Sequence, residues 1–256
     1  MKRAAKPPVV LLHGAFCGPW SLENWRGVFT RAGYTVHAPA LRFHDKASTS
    51  DALADTGLAD YAADLEEEIA DLDAPPILIG HGMGGLLAQM LAGQTEIAAA
   101  ILLAPMAPWG VAPTSVYEIS AAHSLLIYAG FRRQVVMPTH VTGLVQALSR
   151  LDRETRDAVL ARLVPESGKA LFEMLQWGLD LSRASEVDTG AVHCPLLVLA
   201  GAEDRSSPPA TVERIAALYR PRATFETLPG MGHWLQGEPG WEAVAARALD
   251  WLKTLP

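Results

Sequence analysis

Six short apolar runs, separated by stretches of helical periodicity, set the strongest limit on how this chain can fold. Runs at 9–13, 34–40, 77–80, 98–104, 195–200 and 223–228 have the length and the flanking turn residues of strands. Segments at 21–32, 58–72, 84–94, 209–219 and 241–252 read as the helices between them. In the second of these, Leu58, Tyr61, Ala62, Leu65, Ile69 and Leu72 share one face, with Asp60, Asp64, Glu66 and Glu67 outside it. That is the pattern of a surface helix docked on a sheet. Strand–helix alternation of this kind predicts an α/β fold, a mostly parallel sheet with helices on both faces.

The alternation breaks between residues 111 and 189, where helix-like segments at 115–128, 141–151, 152–163 and 169–181 follow one another and no convincing strand is found. The segment is bounded by Ala107-Pro108-Trp109-Gly110 and by Asp188-Thr189-Gly190. The expected organisation is a core of residues 1–110 and 190–256, with residues 111–189 inserted after a central strand as a helical cap. With 256 residues, 50% of them hydrophobic and 19% charged, the chain can bury one core of this size and is not disordered.

The net charge of −7 comes from 28 acidic against 21 basic residues, with no basic stripe, which argues against a nucleic-acid partner. Cys17 and Cys194 cannot build a disulfide framework, and no metal-type Cys/His spacing is present. Both read as reduced thiols in a cytoplasmic protein. Basic Met1-Lys2-Arg3 is followed by an apolar run that stops at His13-Gly14, too short for a signal segment or a membrane span. The expectation is a protein that meets a small-molecule substrate, not a membrane, and uses no metal or organic cofactor. Nothing in the sequence specifies an oligomeric state.

Three motifs carry chemistry. In Pro76-Ile77-Leu78-Ile79-Gly80-His81-Gly82-Met83-Gly84-Gly85 a buried strand runs into a helix through a glycine-rich turn. In Leu197-Val198-Leu199-Ala200-Gly201-Ala202-Glu203-Asp204 a strand ends in glycine and then presents an acid. In Leu228-Pro229-Gly230-Met231-Gly232-His233-Trp234 a loop after the last strand presents a histidine. A fourth loop, His13-Gly14-Ala15-Phe16 after the first strand, is placed to offer a backbone N–H to an oxyanion alongside that of Met83.

Turn, acid and histidine follow in the order of the α/β-hydrolases, and the chain resembles that superfamily over nearly its whole length. The His-Gly-x-[aromatic] opening and the Gly84-Gly85 pair resemble the compact esterases and the plant methylesterase and hydroxynitrile lyase branch. The resemblance implies that His233 is the general base and that Asp204 orients it, with neighbouring Glu203 the other acid available. It further implies an oxyanion hole from the N–H groups of Ala15 or Phe16 and of Met83. The nucleophile position falls on Gly82, which has no side chain. His81 fills a packing position beside the turn. Cys17, near the oxyanion loop, reads as a small buried hydrophobe rather than a substitute nucleophile.

A glycine there accepts the positive φ of the turn without strain but removes the attacking oxygen, closing the acyl-enzyme route. Three functions are consistent with that. The chain is an inactive or trap form of a serine hydrolase for a small, largely apolar ester, amide or related carbonyl compound. Alternatively, it is a native non-covalent His/Asp enzyme of lyase, decarboxylase or water-activating type. The third alternative is a catalytically dead ligand-binding protein. Aromatic and methionine side chains of the cap, among them Trp109, Tyr128, Phe131, Met137, Phe172, Met174 and Trp177, are core or pocket lining. Trp109, Phe131, Met137 and Trp177, with Trp234, are the pocket candidates. Arg132 and Arg133 read as solvated.

Overall fold

The computed structural model describes residues 6–46, 49–126, 130–141 and 143–255. In chain order the regular elements begin with β1 (Val9–Leu12), α1 (Glu23–Arg31), β2 (Val36–His37), α2 (Asp51–Ala54), α3 (Leu58–Ala70), β3 (Ile77–His81), α4 (Met83–Ala92) and β4 (Ala99–Leu103). Then follow α5 (Val116–Leu126), β5 (Val135–Val136), α6 (Gly143–Ala147), α7 (Arg153–Leu160), β6 (Glu166–Ser167) and α8 (Gly168–Leu175). The chain closes with β7 (Leu196–Gly201), α9 (Pro209–Leu218), β8 (Ala223–Leu228) and α10 (Trp241–Leu252).

Six strands form one sheet in the order β2-β1-β3-β4-β7-β8, and every pairing in it is parallel. Strand alternation divides the interior into two layers. Val10, Leu12, Leu78, Leu102 and Val198 pack on one face with α3, α4 and α9 residues such as Leu65, Leu86 and Ile215. Val9, Leu11, Ile79, Ile101 and Leu199 pack on the other with Trp25 and Phe29 of α1 and Ala245, Ala248 and Trp251 of α10. This is the α/β-hydrolase fold with helices on both faces. The strand order reverses between β1 and β3, and the crevice at the carboxyl ends beside such a switch is where open α/β sheets present their ligands.

Two expectations need correction. The edge strand β2 pairs with β1 at only two positions, Val9↔Val36 and Val10↔His37. Two residues on stands Pro39, which has no N–H to extend the ladder. The stretch between β4 and β7 is not strand-free either. β5 and β6 form a two-stranded antiparallel sheet with Val136 opposite Glu166. Two-residue strands carry no periodicity, so their pairing is set by what surrounds them.

Candidate functional site

The glycine-rich turn links β3 to α4, and close approach determines its composition. A Cβ on Gly80 would lie 2.2 Å from the carbonyl oxygen of Gly84, and one on Gly84 would lie 2.1 Å from that of Leu12 in β1. Between them Gly82 sits at φ +56 and ψ −116, a region that strains any residue with a side chain. The turn is pinned on both sides. Gly82 N–H donates to Leu103 O at 3.1 Å, and Gly82 O accepts from Met106 and Leu86 N–H at 3.0 and 3.2 Å.

His233 faces this turn. Its Nδ1 donates to Asp204 Oδ2 at 2.8 Å, while Asp204 Oδ1 accepts the N–H groups of Ser206 and Ser207 at 2.7 and 3.0 Å. Asp204 is buried, whereas Glu203 is half exposed and pairs with Arg150 at 2.8 Å, so of the two acids the structure brings Asp204 to the histidine. Burial opposes protonation of His233, but the charge and hydrogen bond of Asp204, with Glu238 adding to them, hold its pKa above the ordinary imidazole value. With Nδ1 committed to Asp204, Nε2 is directed at the turn. A Cβ built on Gly82 would stand 3.8 Å from that atom, so a hydroxyl one bond further on falls within hydrogen-bond reach.

His81 donates from Nε2 to His233 O at 3.0 Å, and the two rings lie 4.8 Å apart. Burial pushes its pKa well below the ordinary value, with the neighbouring His233 acting in the same direction. It stays neutral and props the histidine loop. Cys17 is buried beside the cavity. Burial, with the charge of Glu166, pushes its thiol up to about 12, so no useful fraction is thiolate near neutral pH. Cys194 is also free and buried.

The N–H of Met83 opens α4, and a helix N-terminus favours negative charge. Of the two residues offered by the β1 loop, Phe16 already donates its N–H to Glu166 Oε2 at 3.2 Å. That corrects the expectation for Phe16, because this donor is committed elsewhere. Among the described residues the N–H of Ala15 has no partner, and Ala15 lines the cavity.

That cavity, about 260 Å³, lies over the turn at the carboxyl ends of the strands. Gly82, Met83 and His233 form its floor, and Ala122, Leu144, Leu148, Leu171 and Met174 of the β4–β7 stretch enclose it with apolar surface. Trp177 and Trp234 are part of the lining. Trp109, Phe131 and Met137 are not. Trp109 stacks edge-on behind Trp177, with ring centroids 5.6 Å apart, under the guanidinium of Arg183. Phe131 is buried against Phe172, and Met137 is exposed. Arg132 and Arg133 are exposed away from the cavity. Tyr128 lies outside the described residues.

Among the described residues no group of three or more His, Cys, Asp or Glu side chains is arranged to hold a metal ion. No helix among them is long and apolar enough to cross a membrane. A sheet that reverses at β1, a glycine-lined turn into α4 and a His–Asp pair above it meet at the carboxyl ends of the strands. The model of the alpha/beta hydrolase family matches residues 9–247, and the chain belongs to that family. The sn-1-specific diacylglycerol lipase ABHD11 of Mus musculus is 26% identical, over 92% of this chain and 78% of that protein. Among solved structures, the methylesterase protein MES16 from Arabidopsis has a TM-score of 0.72 at 17% identity, covering 98% of this chain and 100% of that one. Tomato methylketone synthase I complexed with 2-tridecanone also reaches 0.72 at 17% identity, covering 98% and 99%. The monoacylglycerol lipase of Paleococcus ferrophilus reaches 0.69 at 21% identity, covering 96% and 95%. At these identities the three structures demonstrate a common fold.

Proposed function

We propose that this chain carries the site of a carboxylic ester hydrolase, for small, largely apolar substrates, from which the nucleophile side chain is missing. The supporting observation is the turn itself. Gly82 keeps a strained-turn backbone that glycine does not need to keep, and its Cβ position stands 3.8 Å from His233 Nε2. A single serine side chain separates this arrangement from a complete Ser–His–Asp relay. Ala15 and Met83 supply the oxyanion donors, His233 is the base, and Asp204 fixes its tautomer. Residues 111–189 act as the cap that encloses the acyl group. Amides and related carbonyl compounds fit the same chemistry. The names of the mouse and Paleococcus relatives, both lipases, support an ester-type substrate.

As it stands, the chain binds such an ester and does not acylate, because no alkoxide can form at Gly82. Loss of the nucleophile in a serine hydrolase costs roughly 10⁶-fold in turnover. The two free, buried cysteines fit work in a reducing, cytoplasmic setting.

A second reading has one observation in its favour. His233 keeps its Asp204 partner at 2.8 Å although there is no hydroxyl for it to activate. In that reading Nε2 acts on a water in the space beside Gly82 or on an acidic C–H of the substrate. A paired assay separates the two. The chain and its Gly82→Ser variant are compared on p-nitrophenyl esters of short to medium acyl length. Hydrolysis that appears only with serine supports the first reading. Turnover by the unaltered chain that is lost in His233→Ala supports the second. A folded Gly82→Ser variant without activity sinks the first reading.

A further inference from the structure

Behind the oxyanion loop lies a second buried acid–histidine pair, separate from His233 and Asp204. Glu166 has no exposed surface, yet its carboxylate is fully engaged. Oε1 accepts from Tyr61 Oη at 2.7 Å and from its neighbour Ser167 N–H at 2.8 Å. Oε2 accepts from His44 Nε2 at 3.0 Å and from Phe16 N–H at 3.2 Å. His44 Nδ1 faces the carbonyl oxygen of Arg42 at 3.0 Å. Both ring nitrogens of His44 thus meet acceptors, so both carry hydrogens and the ring is an imidazolium paired with a carboxylate.

The Phe16 contact is the informative one. Phe16 is a non-glycine residue at φ +63, an unfavourable conformation that persists only where its surroundings impose it. It is clamped from both sides by the same stretch of chain, because Val164 N–H donates to Phe16 O at 2.8 Å while Glu166 takes its N–H. Adjacent Ala15 lines the cavity, and its own N–H is unpaired among the described residues. Glu166 stands 150 residues from Phe16 in sequence and belongs to β6.

We propose that Glu166, held by His44, is the positioning residue of the oxyanion hole: by holding Phe16 N–H away from the cavity it leaves Ala15 N–H as the donor that meets the substrate oxygen. The inserted segment then shapes the reaction centre as well as enclosing the acyl group. The kinetic part of this inference rests on the hydrolase reading above; the loop geometry does not. Glutamine at 166 keeps the size but puts an NH₂ in place of one of the two oxygens, so the two donors that share that oxygen lose their acceptor.

Two experiments test it. In the Gly82→Ser enzyme, adding Glu166→Gln should lower kcat by roughly 10–100-fold, approaching the roughly 10²–10³-fold effect of deleting an oxyanion donor, with KM within about twofold. Tyr219→Phe, which removes a buried hydrogen bond to Gln89 at 2.9 Å from a side chain that does not line the cavity, is the stability control and should leave kcat unchanged. If Glu166→Gln is too unstable to assay, His44→Gln replaces it with the same expectation. An unchanged kcat, or a loss appearing only in KM or shared with the control, overturns the proposal.

The second experiment uses the chain with Gly82 in place and needs no turnover. The Phe16 amide, followed by NMR in ¹⁵N-labelled protein, should be strongly protected from exchange and should shift as His44 deprotonates, at a pH above the ordinary imidazole value because burial is outweighed by the Glu166 carboxylate. The groups facing His44 are Glu166, His13, whose ring is 5.3 Å away, Tyr61, and Arg42 and Asp45 of its own loop. His13 is neutral, lowered to about 4 by burial and by His44, so it does not contribute to that titration. The shift should persist in His233→Ala and vanish in His44→Gln. A rapidly exchanging Phe16 amide, or a titration that follows His233 instead, overturns the positioning role. An inactive Gly82→Ser enzyme with the expected amide behaviour would sink the hydrolase reading while leaving the loop contact standing.

Discussion

His233 carries the chemistry in either reading, and its surroundings fix a pH dependence. Burial disfavours its charged form, but the Asp204 carboxylate, its hydrogen bond and the more distant Glu238 outweigh burial, so the folded pKa lies above 6.5. A general base must be unprotonated. As pH falls through that raised value Nε2 gains a proton and the rate drops; as pH rises through it the rate climbs to a plateau. We predict that kcat/KM of the Gly82→Ser enzyme rises with pH and has its midpoint above 6.5. Adding Asp204→Asn removes the largest raising influence and leaves burial, so the midpoint should move down while kcat falls by roughly 10⁴-fold. A midpoint that stays in place would show that Asp204 does not set the basicity of His233. Both residues were legible in the sequence because each follows its strand within a few positions, in Gly201-Ala202-Glu203-Asp204 and Gly230-Met231-Gly232-His233. The choice between Ala15 and Phe16 was not. It depends on a carboxylate at position 166, and nothing near the His13-Gly14 loop announces that partner.

The turn between β3 and α4 shows how a handful of backbone contacts fix the site. Gly84 is the point where α4 meets β1, since any Cβ there would stand 2.1 Å from Leu12 O. That contact holds the first turn of α4, and with it Met83 N–H, against the β1 loop that carries Ala15. Gly84→Ala therefore cannot be absorbed by a side-chain rotation; the helix or the strand end must move. Overpacking of this sort costs about 1–3 kcal/mol or more, and we expect chemical denaturation of Gly84→Ala to show at least that loss. Ligand affinity should weaken along with stability, because the displaced helix start takes the oxyanion donor with it. A variant as stable as the parent would mean that the elements are less tightly apposed than described. Most elements of the core were predictable from apolar runs and helical faces, with α3 and α10 as the clearest examples. β5 and β6 were not, since a two-residue strand has no period to detect, and Glu166 with Ser167 looks polar enough to be a loop. Their burial makes sense only once the partners Tyr61, His44 and Thr56, more than 100 residues away, are in place.

The cavity is assembled from two parts of the chain with different duties. The sheet ends contribute the floor with His233, while α5, α6 and α8 contribute walls that are mostly apolar; under the proposed function, recognition of the acyl group is separated from the chemistry beneath it. Composition could predict an apolar pocket but not its lining, because Trp177 and Trp109 look equivalent in sequence and differ only in which of them stands in front. Under the proposed function, with no nucleophile at Gly82, intact esters should serve as ligands, and the walls can be probed without turnover. Each methylene buried in such a cavity stabilises the complex by about 0.8 kcal/mol, which corresponds to about a fourfold change in affinity. In a series of esters with lengthening straight acyl chains, calorimetric titration of the Gly82 protein should show Kd falling by about that factor per carbon. The trend should stop where the 260 Å³ space is full. Ala122→Trp fills part of the wall formed by α5 and should move the break to shorter chains without altering the slope before it. An affinity independent of chain length would place the acyl group outside this cavity and leave its apolar walls without a role in recognition. A break that Ala122→Trp does not move would show that α5 does not bound the acyl site.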